Sequence, residues 1–128
     1  MTVLVADDNE KGRELLEVYL GRLGYTVVLA ATGRQAVDLA RAHQPDLLIL
    51  DVRMPEMSGY EVVRALRAEP AFSCKPILAL TASVREEDRC SAIAAGFSEF
   101  HSKPMSLESI RRIVARLLSS TAEAAAGQ

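Results

Sequence analysis

The stretch Leu47-Leu48-Ile49-Leu50-Asp51-Val52-Arg53-Met54-Pro55-Glu56-Met57-Ser58-Gly59 carries the reading on which the fold turns. An unbroken aliphatic run at this length fits a strand covered on both faces, as in a parallel sheet. Asp51 ends the run, Met54-Pro55 and Ser58-Gly59 mark a turn, and Ser58 with Glu61 forms a capping box ahead of the helical spacing Val62, Val63, Leu66. The product is a strand, an acidic residue at its carboxyl end and a capped helix. In an open α/β sheet, ligands bind in the crevice outside the carboxyl ends of the strands, so Asp51 stands where chemistry is done.

The same unit repeats outward in both directions. Strand-like runs occur at about Val3 to Ala6, Tyr25 to Leu29, Ile77 to Leu80 and Phe97 to His101. Between them lie helical stripes: Leu15, Leu16, Tyr19, Leu20 and Leu23, then Ala36, Val37 and Ala40. The last stripe, Ile110, Ile113, Val114, Leu117 and Leu118, leaves Arg111, Arg112 and Arg116 largely on its other face. Thr32 with Gln35 and Ser83 with Glu86 give two further capping boxes, and Gly24 and Gly96 sit where helices end in a left-handed residue. The alternation is (βα)5, and right-handed crossovers turn it into a doubly wound, five-stranded parallel α/β sheet. One domain covers residues 1 to 118, and residues 119 to 128, without a large apolar side chain, form a flexible or helix-extending tail.

Four more polar residues end strands on the same sheet edge. Asp7 and Asp8 follow Val3-Leu4-Val5-Ala6, Thr81 follows Ile77-Leu78-Ala79-Leu80, and Lys103 precedes Pro104. Each alone is a common turn former or surface residue; together they describe a site. The chain has 3 lysines beside 12 arginines, and one of the lysines stands here. Three carboxylates in one crevice repel one another, and Mg²⁺ suits an all-oxygen site of this kind. Asp7 and Asp8 would hold the metal, directly or through water, leaving Asp51 to attack phosphorus. Lys103 and the Thr81 hydroxyl would then surround the transferred oxygens, where transition-state charge collects.

Composition narrows the alternatives. A formal charge of −2 supplies no basic stripe for nucleic acid. No apolar run approaches the roughly 18 residues of a membrane span, and the chain enters a strand at once, so a cytoplasmic protein is expected. Cys74 and Cys90 match neither a disulfide framework nor a metal spacing; Cys90, at helical spacing from Ile93, is expected in the core. His43 ends a helix, where a cation suits the dipole, and His101 alternates with Phe100 and should face the other way. An aspartate-nucleophile phosphatase of the haloacid dehalogenase type would need Asp-x-Asp and a lid, whereas here the pair is adjacent. A flavodoxin-like electron carrier would need a hydroxyl-rich phosphate loop in place of Asp7-Asp8-Asn9-Glu10.

Val5-Ala-Asp-Asp-Asn9, Asp51-Val-Arg-Met-Pro-Glu-Met-Ser-Gly59, Leu80-Thr-Ala-Ser83 and Ser102-Lys-Pro104 together resemble the response-regulator receiver domain of two-component signalling, over essentially the whole chain to Leu118. The resemblance implies the flavodoxin-like strand order 2-1-3-4-5. It implies that Asp51 accepts a phosphoryl group from a histidine kinase or histidine phosphotransfer protein, with Mg²⁺ on Asp7, Asp8, Asp51 and the Arg53 backbone carbonyl. Thr81, Ala82 and Lys103 would contact the phosphoryl group, the Lys103-Pro104 bond would be cis, and Arg53 and Ser83 would tune dephosphorylation. Thr81 and Phe100 match the switch positions, Phe100 without the hydroxyl of the tyrosine common there. The expected motion brings Thr81 toward the phosphoryl group and turns Phe100 inward, changing the face built by the fourth helix, fifth strand and fifth helix. Arg85, Glu87, Asp88, Glu99 and Arg111 would offer that face to an unidentified downstream protein or a second copy. A stand-alone regulator without catalytic output is expected; the alternative is a receiver belonging to a hybrid kinase or longer regulator.

Overall fold

Buried aliphatic runs pair into a five-stranded parallel sheet in a computed structural model, which describes residues 1–82, 86–103 and 105–126, the side chains of 86–88 and 120–126 excepted. The elements alternate: β1 (Thr2–Ala6), α1 (Glu10–Arg22), β2 (Thr26–Ala30), α2 (Gly33–His43), β3 (Leu47–Leu50) and α3 (Gly59–Arg67). A short 3₁₀ turn (Pro70–Phe72) leads to β4 (Ile77–Thr81), α4 (Glu86–Ala95), β5 (Glu99–Ser102) and α5 (Leu107–Ala126). The strand order is β2-β1-β3-β4-β5, as the flavodoxin-like reading implied, and every pairing is parallel.

Strand alternation divides the core into two layers. Leu4, Ala6, Leu48, Leu50, Ile77, Ala79 and Phe100 pack with residues of α2, α3 and α4. Val3, Val5, Leu47, Ile49, Leu78 and Leu80 pack with residues of α1 and α5. With both faces covered, β1, β3 and β4 have no solvated side to carry polar residues. Polar groups of these strands are therefore confined to their ends.

Helix ends follow local chemistry. Thr32 Oγ1 accepts from Gln35 N–H at 3.1 Å, while Gln35 Oε1 accepts from Ala31 N–H at 2.8 Å, so the return bond reaches one residue before the cap. Ser58 Oγ accepts from Glu61 N–H at 3.3 Å. Gly24 and Gly96, just past α1 and α4, have φ of 91° and 124°, which glycine adopts without a Cβ penalty. The third capping box, Ser83 with Glu86, lies outside the described residues, as do Arg85, Pro104 and the side chains of Glu87 and Asp88.

One side chain expected in the core, Cys90, and one member of a helical stripe, Leu15, are on the surface. Leu15 is 45% exposed because α1 turns Leu16 and Leu20 inward. Cys90 is exposed like its helical neighbour Ile93, at 51%, because α4 presents Ala92 and Ala95 to the sheet instead. Spacing identified a common stripe in α4 and assigned it the wrong face. Strand limits also move slightly: β2 begins after Tyr25, and β5 after Phe97. No helix among the described residues is long and apolar enough to cross a membrane.

Candidate functional site

Parallel register brings the acidic residues together. The last rung between β1 and β3 pairs Ala6 with Leu50, so Asp7 and Asp51 emerge side by side at the carboxyl edge. The ladder continues into them: Asp51 N–H donates to the Ala6 carbonyl at 2.8 Å, and Asp7 N–H to the Ala30 carbonyl at 3.1 Å. Across the sheet, Lys103 N–H donates to the Thr81 carbonyl at 2.7 Å, carrying the lysine past the end of β5. Carboxylate oxygens of Asp7, Asp8 and Asp51 all lie within 4.8 Å of one another.

Each carboxylate is aimed by a backbone donor. Asp51 Oδ1 accepts from Arg53 N–H at 3.0 Å, and Asp7 Oδ1 from Asn9 N–H at 2.9 Å. Lys103 Nζ bridges the other two oxygens, donating to Asp7 Oδ2 and to Asp51 Oδ2, the latter at 3.0 Å. Asp7 and Asp51 are buried, and Asp8 is exposed at the rim. Burial pushes the Asp51 carboxyl above its ordinary value; Lys103 and the Arg53 N–H pull it down, while Asp7 adds to the rise. Burial also disfavours the Lys103 ammonium, but its bonds and charge interactions with Asp7 and Asp51 outweigh that and hold its pKa up. The bridge thus raises Lys103 and lowers Asp51, and Asp51 still lies above its ordinary value because burial, with the neighbouring Asp7, outweighs the one lysine that the two carboxylates share.

Thr81 and Phe100 lie on the other layer. Thr81 shares its strand face with Ile77 and Ala79, and Phe100 pairs with Ala79. Both line a cavity of about 600 Å³ with Asp8, Val52, Arg53, Met54, Pro55, Ser58 and Tyr60. The opening therefore runs from Asp8, at the edge of the carboxylate cluster, to Tyr60 and Phe100. Arg53 is exposed at it, and Ala82 is an exposed residue just past β4. Phe100 is 2% exposed, packed into the layer of α2 to α4, with the Arg89 guanidinium 5.9 Å from its ring centre. The ring faces inward in this conformation, the position that the expected swing would bring it to. Ser83 and Pro104 lie outside the described residues.

Several supporting residues escaped the sequence reading. Asn9 caps α1, its Oδ1 accepting from Lys11 N–H at 3.0 Å and Gly12 N–H at 3.3 Å, and it also orients Asp7. The signal was present, since asparagine before Glu10 is a favoured N-cap. Arg13 Nη1 donates to the Asp7 carbonyl at 2.7 Å, and Tyr60 stands in the cavity wall; neither has a local signature. On the outer strand, His101 Nε2 meets Glu99 Oε2 at 3.0 Å on the face away from Phe100, as alternation required. Glu99 also binds Arg116, and Arg111 binds Glu108. The two described side chains among those expected to meet a partner are therefore engaged within the chain.

Buried parallel sheet, clustered aspartates, a bridging lysine and a strand-end threonine define a phosphoacceptor class of site. The chain belongs to the response regulator receiver domain family, whose model matches residues 3–115. It is 40% identical over 114 residues to an uncharacterized 14.6 kDa protein from the sodA1 3′ region of Leptolyngbya boryana, covering 88% of this chain and 87% of that one. Among solved structures, it resembles chemotaxis protein CheY4 of Vibrio cholerae with a TM-score of 0.87 and 34% identity, covering 91% and 97% of the two chains. The receiver domain of sensor histidine kinase PA1611 from Pseudomonas aeruginosa, described with a magnesium ion coordinated in its active-site cleft, gives 0.86 and 34%, covering 92% and 97%. Several other curated relatives are longer, and the chain spans 46% and 54% of two of them.

Proposed function

We propose that this receiver is a Mg²⁺-dependent phosphoacceptor in which Asp51 takes a phosphoryl group from the phosphohistidine of a cytoplasmic histidine kinase or histidine phosphotransfer protein. The observation that carries this reading is the position of Asp51. It ends the central strand, shares Lys103 with Asp7, and has oxygens of two further carboxylates within 4.8 Å. The donor set is all oxygen, as Mg²⁺ prefers; Asp7, Asp8, Asp51 and the Arg53 carbonyl would hold it. When bound, the cation supplies the positive charge that three carboxylates and a phosphoryl group lack.

The chain's own groups account for the rest. An Asp51 carboxylate oxygen forms the new bond to phosphorus as the phosphorus–nitrogen bond breaks, its electron pair returning to the donor imidazole. Lys103, held by the Thr81 carbonyl, keeps a fixed cation against the transferred oxygens, and the Thr81 hydroxyl and Ala82 N–H donate to them. The exposed Arg53 side chain covers the phosphoryl group against water, and Ser83 lies at the matching position after Thr81. The receiver itself has no further catalytic output. Its readout is a changed surface at α4, β5 and α5, reached by Thr81 closing on the phosphoryl group and Phe100 repacking beside the shared cavity. A downstream protein or a second copy would read that surface.

Amide and arginine Nε–H NMR spectra with Mg²⁺, before and after adding beryllium fluoride as a phosphoryl mimic, test the reading. Signals of Asp51, Thr81 and Lys103 should move, with remote changes at Phe97 to Ser102 and a protected Arg53 Nε–H. An unresponsive crevice would refute the phosphoacceptor role. Changes confined to the crevice would refute the readout, and a still Arg53 signal would refute the shielding.

A further inference from the structure

The loop after Asp51 is held from the side of α2 at Met57, which is not among the residues that line the crevice. Gly33 is the first residue of α2, and a Cβ there would collide with the Met57 carbonyl oxygen and stand 2.7 Å from Met57 C and Cβ. Much of this obstacle is backbone, which cannot swing aside as a long side chain would. The turn carrying Gly33 is itself fixed by Thr32 and Gln35, whose side chains accept from Gln35 and Ala31 N–H.

The held loop runs straight to the phosphoacceptor. Within it, Glu56 has φ of 69° and Met57 N–H donates to the Pro55 carbonyl at 2.7 Å. A non-glycine residue keeps a positive φ where its surroundings impose it. At the far end, Gly59 lies so close to β3 that a Cβ would stand 2.5 Å from the Asp51 carbonyl oxygen. At the near end, Arg53 N–H aims Asp51 Oδ1 at 3.0 Å. The loop is therefore gripped between α2 and β3, and its own backbone orients the acceptor.

We propose that Gly33 is a positioning residue for phosphorylation: by letting the first turn of α2 rest on Met57, it fixes the loop that aims the Asp51 carboxylate and the Arg53 carbonyl at the metal. This rests on the phosphoacceptor reading. A side chain at position 33 displaces the loop backbone, and the displacement reaches Asp51 through the Arg53 N–H.

The test is Mg²⁺ affinity of the full chain, by calorimetry or NMR titration, in wild type, Gly33→Ala and Gly21→Ala. Gly21 is the control, because a Cβ there meets nothing within 4 Å. Gly33→Ala should bind Mg²⁺ roughly ten-fold more weakly, the scale of losing a group that orients metal ligands, while Gly21→Ala should match wild type. A folded Gly33→Ala with wild-type affinity would overturn the proposal. If that variant does not fold, the wild-type titration decides: Mg²⁺ should shift the Gly33 amide and not that of Gly21, and a motionless Gly33 would overturn it. Wild-type protein that bound no Mg²⁺ would overturn the metal reading together with this one, a different result from unchanged affinity in the variant.

Discussion

At Asp51, burial and charge act in opposite directions, and burial prevails. The carboxyl is pushed above its ordinary value of 3.8 although Lys103 Nζ lies 3.0 Å away. A carboxyl whose pKa is higher in the fold than in the unfolded chain holds its proton more tightly when folded. Its ionisation therefore subtracts stability as pH rises through the window between the two values, and the subtraction is complete above the folded-state value. Asp51→Asn should accordingly raise the unfolding free energy in metal-free buffer at pH 7, with Lys103 still bonded to Asp7. The advantage should shrink on acidification and vanish below the ordinary value, 3.8. Urea unfolding at several pH values measures this, and a variant no more stable than wild type at pH 7 would contradict it.

Among the elements, α3 has a tie at its carboxyl end that has no counterpart in the sequence pattern. Arg67 Nε donates to the Gly96 carbonyl at 2.9 Å, and Nη1 donates to the Phe72 and Lys75 carbonyls, each at 2.6 Å. One half-buried guanidinium thus joins the end of α3, the 3₁₀ turn, the entry to β4 and the end of α4. Burial lowers its pKa, and it donates hydrogen bonds to carbonyl oxygens and the Ser98 hydroxyl. Arg67→Met keeps much of the apolar stem but strands three carbonyls, so a loss of about 2–3 kcal/mol is expected in urea unfolding. Arg67→Lys should recover only part of it, because an ammonium cannot reproduce the planar fork. A loss in Arg67→Met below about 0.5 kcal/mol, the range of ordinary surface changes, would show that water replaces the guanidinium. Helix caps, by contrast, act within a few residues, which is why Thr32 and Ser58 were legible while Arg67 was not.

Across the whole molecule, the sheet brings distant residues to one edge, and legibility followed the range of each signal. Asp7, Asp51 and Thr81 stood out because both faces of their strands are covered, leaving polar groups only at the strand ends. The strand order came from family resemblance, since local periodicity says nothing about which strands are neighbours. Leu15 and Cys90 were misplaced because an apolar stripe gives a helix a direction without giving the width of what covers it. Phe100 matched an aromatic switch position by resemblance alone, but whether its ring lay inward depended on packing from three helices. Gly33 was silent because its neighbour, Met57, lies on another loop. What the convergence asserts above all is that one carboxylate, Asp51, accepts the phosphoryl group. Intact-mass analysis of wild type and Asp51→Asn after incubation with acetyl phosphate and Mg²⁺ tests this most directly. Wild type should carry a single phosphoryl adduct that disappears with EDTA and is absent from Asp51→Asn; an adduct that persists in Asp51→Asn would contradict Asp51 as the acceptor.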